Sequence, residues 1–306
     1  FGSSGRGPHP SPIPLGGSRA AGGLASTKAD AQTFELRFPH SWMTMACTCN
    51  CVHGMGKTVE EVPQETPIQM REPRETHFFA NGTSYTGQWL GDLPDGEGMQ
   101  MWPDGGKYMG EFRMGKAEGR GIFEYANGDV YVGPWVDDHA HGEGTCMHLD
   151  GSVYKGEWVR GRQNGQATMT FPDGTKFVGQ YKDGVKHGFG TFHFAGKTDG
   201  CTYEGEFRGD GFHGKGTYVW EDGRRYEGQW RESAMDGHGA YTFPDGRSYV
   251  GQYADDKRDG DGVLEWPDGC RYKGQFRNNQ MHGTGSYRDI CGKLTQGEWR
   301  NGKRES

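Results

Sequence analysis

Residues 226–248 read YEGQWRESAMDGHGAYTFPDGRS. Tyr249 begins the same pattern again, and so does Tyr203 before it. Reduced to fixed positions, the unit is Tyr-x-Gly-(Glu/Gln)-aromatic, then Gly-x-Gly, then aromatic-x-Asp-Gly. Units start at Tyr85, Tyr108, Tyr131, Tyr154, Phe177, Tyr203, Tyr226, Tyr249 and Tyr272, and a broken tenth starts at Thr295. A glycine follows each start by two residues, from Gly87 to Gly297, and an aromatic follows by four, from Trp89 to Trp299. Glycine makes up 55 of the 306 residues, so ten glycines in register by chance has a probability on the order of 10⁻⁸, and the repeat is real.

The spacing dictates a strand. Side chains alternate with period two, so Tyr226, Gly228 and Trp230 share one face, while Glu227 and Gln229 make the other face wet. A second strand runs from Gly237-His238-Gly239 through Tyr241 to Phe243. The following Pro244-Asp245-Gly246 suits a tight reversal, because proline presets φ, aspartate bonds its own backbone, and glycine takes φ > 0. The same turn recurs at Pro103, Pro172 and Pro267. Each unit is therefore a β-hairpin. The expected fold is all-β, an elongated single-layer antiparallel β-hairpin solenoid. Glycine weakens strands, and its fixed place between two aromatics implies a hollow in which rings from the neighbouring strand lie flat.

Composition agrees. Only 32% of the residues are hydrophobic, too few for a two-layer globule but enough for units that bury rings against their neighbours. Residues 1–76 are expected to be disordered, rich in Gly, Pro and Ser and then in cysteine, with the array at 77–306. No stretch there suits a secretory signal or a membrane span. The cluster Cys47, Cys49, Cys51, close to Met43 and Met45, is a candidate for S-palmitoylation. The plainer alternative is a cysteine-rich patch without a role. Zinc fits worse, with His53 as the nearby helper and Cys-x-Cys spacing. Seven cysteines are an odd number, and the other four, Cys146, Cys201, Cys270 and Cys291, lie at unrelated places in the repeats, which gives no disulfide framework and points to a reducing, cytoplasmic compartment.

Departures from the pattern are local. Phe79-Ala80-Asn81-Gly82 reads as the closing turn of a degenerate earlier unit. Three additional residues fall at 195–200. Pro134 replaces Glu/Gln, Ala167 replaces a glycine, and the last unit is expected to stop after Trp299, leaving an open strand edge.

Tyr226–Trp230, Gly237–Gly239 and Asp245-Gly246, with their equivalents, resemble the MORN (membrane occupation and recognition nexus) repeat over about residues 78–300. The resemblance implies a twisted single-layer sheet with an aromatic groove and a scaffolding role at membranes, cytoskeleton or axonemes. It also brings two alternatives. One is the regulatory part of a phosphatidylinositol phosphate kinase or SET methyltransferase whose catalytic domain is not in this sequence. The other is direct phosphoinositide binding.

Chemistry is scarce. Gly209–Gly216 (GDGFHGKG) nearly spells a phosphate-binding loop, but Gly216 stands where the Mg²⁺-binding Ser/Thr belongs, and Gly214 and Gly216 are repeat glycines. His141, His187, His213 and His282 share one repeat position, yet successive units are about 9.6 Å apart, too far for one metal. Asp137-Asp138 and Asp255-Asp256 read as solvated bends. No catalytic, cofactor or metal set emerges, and no enzyme is expected. Residues 1–76 hold seven acidic and seven basic side chains, so 77–306 carries the entire net charge of −7, which argues against nucleic acid and bulk attraction to anionic lipid. The expected function is a non-enzymatic scaffold that receives an extended or helical protein segment, or another copy of itself as a homodimer or end to end. Tyr108, Tyr131, Trp135, Tyr154, Trp158, Tyr226, Trp230 and Tyr249 are the groove candidates, with internal packing as the alternative role. Membrane or cytoskeletal association is the corresponding expectation for location.

Overall fold

A computed structural model describes residues 70–195 and 200–305. Every regular element among them is a strand, and the 22 strands form one open sheet. Every pair of hydrogen-bonded strands is antiparallel. In the unit at Tyr226, β15 (Arg225–Arg231) pairs with β16 (Ala234–Thr242) through Tyr226 opposite Tyr241 and Gly228 opposite Gly239. Gly239 then faces Gly251 of β17 (Ser248–Ala254). A column of paired glycines therefore crosses the sheet, as the register predicts.

Two kinds of turn alternate. Between units, the expected reversal is found: the Gly246 amide donates to the Phe243 carbonyl at 3.0 Å, the Arg247 amide donates to Asp245 Oδ1 at 3.1 Å, and Gly246 takes φ +86°. Within a unit, two residues both adopt positive φ, Glu232 (+51°) and Ser233 (+69°) in this case. That is the type I′ geometry whose twist matches the flanking strands. Asp137-Asp138 and Asp255-Asp256 occupy these turns and are more than solvated bends. The second turn residue is clasped to the preceding unit: Asp256 donates its amide to the Met235 carbonyl (3.0 Å), and its Oδ1 accepts the Met235 amide (2.8 Å). Asp138, Asp210, Ser233 and Asn279 make the same pair of bonds.

After Gly228 the register slips by two residues, because three residues of β16 stand opposite one of β15, a β-bulge. Gln229 bends back over it, and its Oε1 accepts the His238 amide at 2.7 Å. Glutamate or glutamine does this in eight units. The Glu/Gln position thus belongs to the wet face by alternation but is a backbone cap by function. Pro134 has no such side chain. There the second strand is broken into His139–Ala140 and Gly142–Met147, and the His141 amide turns to the Pro134 carbonyl at 3.0 Å.

The ends extend beyond the expected limits. β1 (Glu72–Phe78) pairs with β2 (Ser84–Leu90), so the sheet begins five residues before His77 and includes part of the segment expected to be disordered. Phe79–Gly82 is its closing turn, as anticipated. At the other end Arg304 faces Trp299 in a short final strand, Lys303–Arg304, beyond the expected stop. Ala167 lies between Gly156 and Gly179 with its methyl buried. Of the lengthened turn at 195–200, residues 196–199 lie outside the described residues.

Candidate interaction surface

Two rows of rings share one face of the sheet. In the first, the Tyr226 ring covers the backbone of both Gly228 and Gly239, and a Cβ on Gly228 would fall 2.5 Å from the Tyr226 hydroxyl and from the Gly239 Cα. The hollow over glycine is thus real, but its ring comes from the unit's own strand rather than the neighbour's. Residues i and i+2 share a face, and tyrosine is long enough to reach the next strand. The hydroxyl donates to the Gln229 carbonyl (2.9 Å), the group freed by the bulge. The ring meets Trp230 edge-on at 5.1 Å and Tyr253 of the next unit at 5.2 Å. Such contacts link each start ring to two aromatics from Tyr85 through to Trp299. Each is worth about 0.5–1.5 kcal/mol beyond area burial. Burial pushes the Tyr85 and Tyr249 hydroxyls up to about 12, so they remain protonated donors.

This row contains all eight groove candidates. Tyr108, Tyr131, Tyr154, Tyr226 and Tyr249 are fully buried, Trp135 and Trp158 are 1% exposed, and Trp230 is 6% exposed. They hold units together and leave a partner almost nothing to touch.

The second row is accessible. It runs along the margin of the Pro-Asp-Gly turns and alternates between the end of a second strand and the first residue of the following turn. Phe192, Phe194, Tyr218, Trp220 and Phe243 are half-buried, and Tyr241 is 9% exposed. Successive rings touch without a gap, at 4.6, 5.7, 4.5, 5.5 and 4.6 Å between centroids. Arg224 lies 5.2 Å over Trp220 and Arg247 lies 4.7 Å over Phe243, paired with Asp222 and Asp245. These rings are the aromatic of the aromatic-x-Asp-Gly motif. The motif marked them as turn residues, and only the packing separates the covered row from the open one.

Other candidates dissolve. Cys47, Cys49 and Cys51 lie outside the described residues. Among the described residues no group of His, Cys, Asp and Glu could hold a metal. The four repeat histidines sit at the bulge, where the His213 and His282 carbonyls accept start-tyrosine hydroxyls at 3.4 Å. Gly214 and Gly216 of the phosphate-loop mimic belong to a strand paired on both sides. Cys146, His148 and Asp129 cluster at one turn, but burial pushes the thiol up to about 12, and the His148 ring bonds Asp129 (3.0 Å). The thiol is an inert core group.

The opposite face is less uniformly wet than alternation implied. Cross-strand neighbours Met99, Met109, Ile122 and Val132 form an apolar column over the first units. Further along, a groove is floored by Gly251, Gly262 and Gly274 and lined by His238, Asp261 and Lys273.

The family model for the MORN repeat matches ten successive segments between residues 85 and 305. Alsin of Homo sapiens is 36% identical over 74 residues, covering 23% of this chain and 4% of Alsin, and Alsin of Mus musculus is 36% identical over 75 residues, covering 24% and 4%. The matched stretch is thus a small part of those proteins. Among solved structures, the TCP10 domain of Danio rerio CPAP, in complex with a peptide of STIL, aligns at 14% identity over 74% of this chain and 99% of that one, with a TM-score of 0.22. Virginiamycin B lyase of Staphylococcus aureus aligns at 9% identity over 76% and 85%, with a TM-score of 0.16.

Proposed function

The chain belongs to the MORN-repeat family, and from that membership we propose that it is a non-enzymatic scaffold whose open ring row receives a segment of a partner protein. The single observation that carries this reading is the unbroken row of touching rings from Phe192 to Phe243, half-buried at every ring but the buried Tyr241. The second row packs against the buried first row and keeps its outer side open. Aromatic side chains offer large contact area with few rotatable bonds, and they dominate binding hot spots.

The test is affinity purification with quantitative mass spectrometry, comparing the intact chain with a Trp220→Ser/Phe243→Ser variant of matched circular dichroism. Partners held by the row drop at least tenfold in the variant. Equal recovery of every partner overturns the reading. Docking at membrane or cytoskeletal structures is the companion proposal, tested by whether the same variant loses its location in cells. Co-sedimentation with phosphoinositide vesicles tests the lipid alternative, which the charge of −7 disfavours.

A further inference from the structure

We infer that the open ring row takes a proline-rich, basic segment in the polyproline II conformation, laid across the strands along the turn margin. The inference rests on the scaffold reading above and names the chemistry of its partner.

Its basis is period. From Trp220 through Tyr241 to Phe243 the row takes two steps, 5.5 and 4.6 Å. From Phe194 through Tyr218 to Trp220 it takes 5.7 and 4.5 Å. Successive turn rings therefore stand no more than about 10 Å apart, the width of two strands. A ligand that uses every ring must offer the same side chain at that interval. Polyproline II advances about 9.3 Å in three residues and returns to the same edge. An extended strand covers about 10 Å in three residues, but its side chains alternate, so every second ring would meet the wrong face. An α-helix returns to the same face after about 10.5 Å in seven residues, and its overshoot accumulates from unit to unit. Polyproline II also arrives with its backbone already ordered and unbonded, and it is the conformation read by aromatic-lined grooves in general.

Charge sets the composition. Asp173, Glu221, Asp222, Asp245 and Asp268 belong to the turns of this margin. Of the cations beside them, Arg224 and Arg247 are engaged with Asp222 and Asp245 and rest on Trp220 and Phe243, and Arg225 and Arg271 are paired with Glu227 and Glu265. Acid is in excess, within an array that carries the whole −7. Basic residues between the prolines are therefore complementary, and acidic ones are repelled.

Isothermal titration of the full chain with synthetic peptides tests this. The probes are four repeats of Pro-Pro-Arg, the same length of Pro-Pro-Glu, Gly-Gly-Arg in place of the prolines, and Pro-Pro-Pro-Arg to break the period. The Pro-Pro-Arg peptide is expected to bind at least tenfold more tightly than each of the others, and Trp220→Ala/Phe243→Ala is expected to weaken it at least tenfold. If that double variant melts early, Trp220→Ala alone makes the comparison. Equal binding of Gly-Gly-Arg, an unaffected variant, or no binding at all overturns the inference. Loss of natural partners by the Trp220→Ser/Phe243→Ser protein, with no peptide binding, leaves the scaffold reading standing and removes only the polyproline ligand.

Discussion

At the scale of the residue, the same side chain carries different weight in different units. Trp230 Nε1 donates to the Gly216 carbonyl at 3.0 Å, while Trp135 Nε1 is buried without a partner. Replacing tryptophan by phenylalanine removes similar area at both sites but a hydrogen bond only at Trp230. Trp230→Phe should cost about 1 kcal/mol more than Trp135→Phe, read from chemical denaturation of each variant. Acid should also find its targets among single residues. Burial alone would raise the Asp129 carboxyl, but the Leu149 amide, His148 and Asn127 together hold it below its ordinary value of 3.8. The Met114 amide, against the effect of burial, and then Arg71 do the same for Asp95. Folded values below the unfolded ones mean that this stability is fully present above about pH 5 and is lost as pH falls through the folded values. The melting midpoint should fall between about pH 5 and pH 3, and Asp129→Asn should fall less steeply over that range. Parallel curves would remove Asp129 from the account.

At the scale of the element, a unit is held by a bulge, a cap and a clasp as well as by the ladder. Gln252 Oε1 accepts the Asp261 amide at 2.7 Å across the bulge. Gln252→Ala should destabilise by about 1 kcal/mol, while Gln252→Glu, which keeps the acceptor, should remain within about 0.5 kcal/mol of the parent. Equal effects from the two substitutions would mean that the cap is ornamental. The strands and the Pro-Asp-Gly turns were legible because period-two alternation and glycine at a positive φ leave marks in sequence. The type I′ turns were not, because Met114, Arg160 and Glu232 take positive φ there, and none of these residues signals it. The Gln252 cap was hidden for another reason. Alternation assigns it correctly to the outer face, and only the two-residue slip brings an unpaired amide within its reach.

At the scale of the whole array, the repeat and its all-strand fold were readable from Tyr226–Ser248 and its copies. The candidate surface was readable only in part. Alternation places both ring rows on one face and cannot say which is covered. Tyr226 is buried because the neighbouring unit's Tyr253 closes over its edge, and Trp220 stays half open because it stands at a turn. That distinction is a tertiary one, and it moves the candidate site from the first row to the second. The same serial packing makes stability a sum over units and their nearest neighbours.

The account depends most on rings seated over bare backbone, and hydrogen exchange of a Gly228→Val protein tests it most directly. A valine there meets the Tyr226 hydroxyl, the Gly239 Cα and the His238 carbonyl. Amide protection should collapse in the unit at Tyr226 and its two neighbours while the units at Tyr85 and Tyr108 keep theirs. Unchanged protection around Gly228, or an even loss across all units, would contradict the account.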